Sequence, residues 1–200
     1  DYCGSRFAVA VSSGTAALTI ANQAAGLIPG RQVLTTPNTF VATANSIELS
    51  GGIAKLVDID SNDFNISITS IKMALDECKE VQGIIPVHFA GVPADMESIA
   101  RFATDYDLFV IEDACHALGG TWIDSKGVEN RIGDCAYSDM TIFSFHPVKQ
   151  ITTGEGGMIT TNDPALHQKM LALRSHGISW PADPKLRKAQ PWVYEMNDLS

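Results

Sequence analysis

The sequence predicts an α/β fold of three layers, with helices on both faces of a mainly parallel sheet. Two patterns carry that expectation. Short apolar runs alternate with helical stretches of about ten residues, the rhythm of β-α-β crossovers. The apolar runs are also continuous and not alternating, as strands covered by helices on both faces are.

The elements follow in order. Residues 7–11 form a short apolar strand. Ser12-Ser13-Gly14-Thr15 then opens an Ala-rich helix ending near Gly26, with Pro29-Gly30 as its stop. A strand at 32–36 precedes a helix at 40–49 closed by Gly51-Gly52. Residues 53–59 form a strand, 69–79 a helix and 83–89 an apolar strand. Pro93, tolerated in a first helical turn, leads a helix to about Tyr106. Strands follow at 108–111, 140–145 and 158–161. Asp163-Pro164 opens a last helix that reaches Ser175 and stops at Gly177.

Composition narrows the class. The 200 residues, 45% hydrophobic and 18% charged, suffice for one sizeable core. A net charge of −9 argues against a nucleic-acid or anionic-membrane surface, since both need clustered Lys and Arg. Cys3, Cys78, Cys115 and Cys135 form no C-x-x-C pair and read as reduced thiols, not as metal ligands. No charged-then-apolar leader and no apolar run of transmembrane length is visible, so the cytoplasm is the expected compartment. The chain starts without Met and ends after a long irregular stretch, and it is expected to be a piece of a longer protein. Residues 1–176 are read as one large domain and 177–200 as an irregular segment leading onward.

In open parallel sheets ligands bind beyond the carboxyl ends of the strands. The residues just after each apolar run are therefore the informative ones. After the first run, Ser13, Gly14, Thr15 and Ala16 offer free backbone N–H groups and a hydroxyl at a helix N-terminus, a cradle for a phosphate monoester or a plain Ser cap. No Gly-Lys-Ser/Thr follows, which excludes a Walker loop, and no G-x-G-x-x-G follows, which argues against a dinucleotide site. After the second run, Phe40 is either core or a plate for a planar ring. His88 follows the fourth run and is either structural or part of the site. Glu112 and Asp113 follow the fifth run and are costly to bury without partners; a protonated pyridine nitrogen would satisfy Asp113. After the next run come Ser144, His146 and Lys149, with Gly154-Glu155-Gly156-Gly157 beyond. An anion cradle, an aromatic plate, a buried acid and an amine are the four things pyridoxal 5'-phosphate requires.

Three stretches then carry a resemblance: Ser13-Gly14-Thr15-Ala16-Ala17-Leu18, Glu112-Asp113-Ala114-x-His116, and Ser144-Phe145-x-x-x-Lys149 with its glycine turn. In this order they resemble the DegT/StrS sugar aminotransferases, pyridoxal-phosphate enzymes of fold type I. Phe145-His146-Pro147-Val148-Lys149, Pro86-Val87-His88-Phe89-Ala90-Gly91 and Pro191-Trp192-x-Tyr194-Glu195-Met196 are most similar to the branch that makes UDP-4-amino-4,6-dideoxy-N-acetyl-altrosamine.

The resemblance implies that Lys149 is the Schiff-base lysine and Asp113 the acid paired with the pyridine nitrogen. It implies that His116 lies near the cofactor's 3-hydroxyl, that Gly14, Thr15, Ala16 and Ser144 hold the phosphate, and that Phe40 stacks on the ring. His88 and His146 stand as substrate contacts. The implied partners are glutamate, a nucleotide-linked keto sugar aminated at C4, and a second copy forming a homodimer with a shared active site. In the family an Asn-bearing segment of that second subunit completes the phosphate site, and its counterpart falls beyond residue 200. Rival readings are a pyridoxal-phosphate sugar dehydratase, disfavoured by Lys149, and a non-catalytic regulatory member, disfavoured by Lys149 and Asp113 together.

Overall fold

The computed structural model describes residues 2–179, 188, 192 and 194–196. The chain alternates as expected: β1 (Phe7–Val11), α1 (Gly14–Ala24), β2 (Gln32–Thr35), α2 (Ala42–Leu49), β3 (Ile53–Leu56), α3 (Ile68–Glu77), β4 (Val81–Ile84), α4 (Met96–Tyr106), β5 (Phe109–Asp113). A short hairpin, β6 (Thr121–Ile123) and β7 (Glu129–Arg131), precedes β8 (Met140–Ser144), β9 (Gly157–Thr161) and α5 (Pro164–Arg174).

Seven strands form one sheet in the order β1-β9-β8-β5-β4-β2-β3. The pairs β8–β5, β5–β4, β4–β2 and β2–β3 are parallel, whereas β9 runs antiparallel to both its neighbours. The mainly parallel sheet is thus as expected, with one reversed strand that continuous apolar runs do not reveal. Its reversal has a consequence for the site. The connection 145–156 leaves β8 and re-enters β9 at the same edge of the sheet, so it stays at the carboxyl ends where Lys149 is needed.

Successive residues of a strand point to opposite faces, and the cores follow that period. Val33, Ile85 and Ile111 join α1, α2 and α5 in one cluster, with Leu18, Ala21, Ile47 and Met170. Their neighbours Leu34, Ile84 and Val110 join α3 and α4 in another, with Ile71, Leu75, Met96 and Ile99. Three layers result. Burial on both faces fails at the sheet edges: Ala8 and Ala10 of β1 are exposed, as are Ile53, Lys55 and Leu56 of β3. A third cluster, Ala114, Ala117, Ile132 and Phe143, lies beneath the hairpin.

Boundaries shift by a few residues. The second helix begins at Ala42 with Val41 as its cap, so Phe40 precedes the helix and does not sit in its first turn. The strand read at 83–89 ends at Ile84, and Phe89–Gly91 makes a single 3-10 turn in which Ala90 has φ 51°. The segment 177–200 falls mostly outside the described residues. Within it, Ile178–Ser179 pairs antiparallel with Glu195–Met196, so that part is not irregular.

Candidate active site

The N-terminus of α1 is the first wall. Ser13 caps the helix: its Oγ accepts the Ala16 N–H at 3.1 Å, and its carbonyl accepts the Ala17 N–H. The N–H groups of Gly14 and Thr15 have no intrahelical acceptor, because the first turn of any helix leaves its leading donors unpaired. These donors and the positive end of the helix suit an anion. Gly14 is needed for closeness, since a Cβ there would lie 2.9 Å from Ser144 Cβ and 3.1 Å from Cys115 Sγ. Ser144 Oγ accepts the His146 N–H at 3.4 Å, which leaves its own proton free to donate toward the same place. Ala16 is a correction. Its N–H is committed to Ser13 and it does not line the cavity, so the cradle is Gly14 and Thr15 with Ser144.

β5 supplies the acid. Asp113 is 4% exposed, and its backbone is pinned on both sides: its N–H donates to Pro86 O at 2.8 Å and its carbonyl accepts the His88 N–H at 3.0 Å. Oδ2 accepts the Thr43 hydroxyl at 2.7 Å, and Oδ1 accepts the Cys115 N–H at 3.2 Å. Among the described residues no ion pair involves Asp113. A buried carboxylate that faces a cavity and takes part in no ion pair has room for a protonated nitrogen from a ligand. Burial and this carboxylate together push the Cys115 thiol up, so it stays protonated.

Glu112 points the other way. Its Oε2 accepts His88 Nε2–H at 2.7 Å, and its Oε1 accepts the hydroxyls of Thr141 at 2.8 Å and Ser138. Burial drives its carboxyl up, but the hydrogen bonds from His88, Ser138 and Thr141 outweigh that and hold it below the usual range. His88 Nδ1 accepts the Ala94 N–H at 3.0 Å, which leaves the ring proton on Nε2. His88 is wholly buried with both nitrogens engaged and does not line the cavity, so it is a structural group and not a substrate contact.

The 145–156 turn brings the amine. Phe145 N–H donates to Gly156 O at 2.9 Å and Thr153 N–H to Phe145 O at 3.0 Å, closing the turn at its base. Gly156 gives the Thr153 side chain its place, since a Cβ there would lie 2.4 Å from Thr153 Oγ1. The turn carries Lys149, which is half-buried and takes part in no ion pair among the described residues. Burial and the Lys149 ammonium push the His116 imidazole below its usual value, so it is neutral at pH 7. Gln150 Nε2 donates to the His116 carbonyl and ties the turn to the loop after β5.

These walls enclose one cavity of about 340 Å³. Gly14, Thr15, Phe40, Asp113, His116, Ser144, His146 and Lys149 all line it. Phe40 is 72% exposed, which excludes the core reading and leaves its ring as a wall. Thr43, Cys115 and Val148 line it too and escaped the sequence reading. Thr43 lay three residues after Phe40, a helical spacing that marks a shared face. The donor set suits pyridoxal phosphate: Gly14, Thr15 and Ser144 could hold its phosphate, Phe40 could face its ring, Asp113 could meet its ring nitrogen and Lys149 its carbonyl carbon.

Comparison with known proteins gives the family. GDP-perosamine synthase of Caulobacter vibrioides is 40% identical over 202 residues, covering 100% of this chain and 51% of that protein. The structure of NtdA from Bacillus subtilis with bound cofactor PMP superposes with a TM-score of 0.80 at 35% identity, over 90% of this chain and 39% of the other. Helicobacter pylori PseC, an aminotransferase involved in the biosynthesis of pseudaminic acid, gives a TM-score of 0.84 at 30% identity, over 98% of this chain and 49% of the other. The chain spans about half the length of the curated relatives it matches. The sequence pattern of one family covers residues 1–200, and the chain belongs to that family, the DegT/DnrJ/EryC1/StrS aminotransferases.

Proposed function

We propose that the protein containing this chain is a pyridoxal-phosphate-dependent aminotransferase. It moves an amino group from glutamate to the C4 keto group of a nucleotide-linked deoxysugar. It works in the cytoplasm as a homodimer with shared active sites, and residues 1–176 are its cofactor-binding domain. The observation that carries the reading is the convergence of Lys149 and Asp113 on one cavity with the Gly14–Thr15–Ser144 cradle at its end. Pyridoxal phosphate would supply there an electron sink and a carbonyl group able to carry an amino group between donor and keto acceptor.

The residues of the chain do the rest. Lys149 Nζ would hold the cofactor and would serve as the amine that moves a proton at the reacting carbon. Asp113 would keep a proton on the ring nitrogen. Phe40 would bear on the ring face, and Gly14, Thr15 and Ser144 would hold the phosphate. His116 lies beside Lys149 as a neutral donor, and His146, exposed at the mouth, meets the sugar. The substrate is proposed as UDP-linked on the resemblance of Phe145-His146-Pro147-Val148-Lys149 and Pro86-Val87-His88-Phe89-Ala90-Gly91 to the altrosamine branch, with a GDP-linked sugar the competing choice on the likeness to GDP-perosamine synthase.

The test uses the full-length protein with pyridoxal phosphate, glutamate and a panel of UDP-, GDP- and dTDP-linked 4-keto sugars. Amino-sugar product is expected from one nucleotide class. The visible band of the lysine-linked cofactor is expected to disappear in Lys149→Ala. A band that survives that substitution removes Lys149 from the role, and dehydration without amino transfer removes the transaminase reading.

A further inference from the structure

Thr43 has no assigned role and is wholly buried, yet it lines the cavity and touches its acid. Its Oγ1 lies 2.7 Å from Asp113 Oδ2, 2.8 Å from Thr39 Oγ1 and 3.2 Å from Phe40 O. A hydroxyl has one proton, and a carboxylate accepts only. The shortest donation places the Thr43 proton on Asp113, so Thr39 must donate to Thr43. A directed chain results, from Thr39 to Thr43 to Asp113, ending in a charge-assisted bond. Thr43 N–H also donates to Phe40 O at 3.1 Å, so the turn entering α2 binds the acid and the aromatic wall to each other.

We propose that Thr43, oriented by Thr39, is a positioning residue for the ring-nitrogen acid. It fixes the Asp113 carboxylate against the α2 turn that carries Phe40, so that the acid would meet the nitrogen edge, and the aromatic plate the face, of one pyridine ring. The proposal rests on the pyridoxal-phosphate reading of the cavity. The chain of donors ends on Asp113, through which it would act.

The experiment titrates full-length apoprotein with pyridoxal phosphate and follows the visible band against pH. Thr43→Val keeps shape and removes the hydroxyl; it is expected to weaken cofactor affinity about tenfold and to move the pH midpoint of the band. Thr43→Ser restores the hydroxyl and is expected to return both readings to wild type. Thr39→Val, one step removed, shifts them in the same direction by less, and it stands in should Thr43→Val fail to fold. Wild-type affinity and midpoint in both valine variants overturn the proposal. Equal losses in Thr43→Val and Thr43→Ser that track apoprotein melting temperature also overturn it, since packing then explains the site. Wild-type protein that binds no pyridoxal phosphate overturns the cofactor reading itself, a result distinct from normal wild-type binding with indifferent threonines.

Discussion

Glu112 and Asp113 are adjacent in sequence and serve opposite sides of the sheet. Residue 111 belongs to the α1–α2 face and residue 110 to the α3–α4 face. The two-residue period therefore sends Asp113 toward α2 and the cavity, and Glu112 toward His88 and α4. Glu112 accepts three donors, and Glu112→Ala leaves the wholly buried His88 Nε2–H without its acceptor, Thr141 with only the 3.5 Å contact to Cys135 Sγ, and Ser138 to the solvent it partly meets. A loss of about 1–3 kcal/mol in urea unfolding at pH 7 is expected. The pH dependence has a definite sign. A carboxyl whose folded value is depressed contributes stability that is complete above its ordinary value of 4.5 and is lost as pH falls through the folded value. Glu112→Gln is therefore expected to flatten the fall of stability below about pH 4.5, measured by unfolding midpoints from pH 7 down. An unchanged acid limb would show that Glu112 is not the group being protonated.

At the scale of elements the site depends on close approach between backbones. Gly157 opens β9, and a Cβ there would lie 2.5 Å from Ser13 O and 3.0 Å from Gly14 N. Gly157→Ala is expected to push the α1 terminus off the sheet, costing about 1–3 kcal/mol and weakening cofactor binding, although Gly157 does not line the cavity. Melting temperature and a pyridoxal-phosphate titration check both halves; a stability loss with unchanged affinity separates the cradle from this contact. Ser13→Ala removes the cap and is expected to cost about 0.5–2 kcal/mol by the same melting measurement. The start of α1 was legible because Ser-Ser-Gly-Thr places a cap before an apolar-periodic run. The start of α2 was not, because Phe40 fits the helical apolar period while lying outside the helix on the cavity wall. The direction of β9 left a fainter signal: a parallel return needs a crossover, usually helical, and 145–156 carries no helical pattern. The β6–β7 hairpin has strands of only three residues, too short for a period, and was marked solely by the turn before Gly127, where φ is 79°. Asp113 and Ser144 were legible as polar residues at the carboxyl ends of strong apolar strands, and Lys149 by its place between such a strand and a glycine turn. Thr43 and the commitment of Ala16 to Ser13 are facts of side-chain partnership, which spacing along one chain does not specify.

Across the molecule, the site draws on one side of the structure. α1 and α2 share the first core cluster with the inward residues of β5 and β8, whereas α3 and α4 pack on the second and contribute no cavity wall. The proposed cofactor would tie together four segments that the chain brings from far apart: the α1 terminus, the α2 turn, the end of β5 and the 145–156 turn. Its binding energy adds to the stability of those segments by mass action, about 2.7 kcal/mol when free cofactor is one hundred times its dissociation constant. The protection should be local. Hydrogen exchange on the full-length protein, with and without pyridoxal phosphate, is expected to slow in residues 13–18, 38–43, 113–116 and 144–156, and to stay unchanged in α3 and α4. In Asp113→Asn the slowing at 38–43 should shrink, because the partner of Thr43 no longer carries a charge, while the slowing at the α1 terminus persists through the phosphate. Protection spread evenly over both faces would mean that the cofactor acts on the whole fold and not through this wall. Protection confined to the α1 terminus would mean that the phosphate is held but the acid and the amine are not engaged.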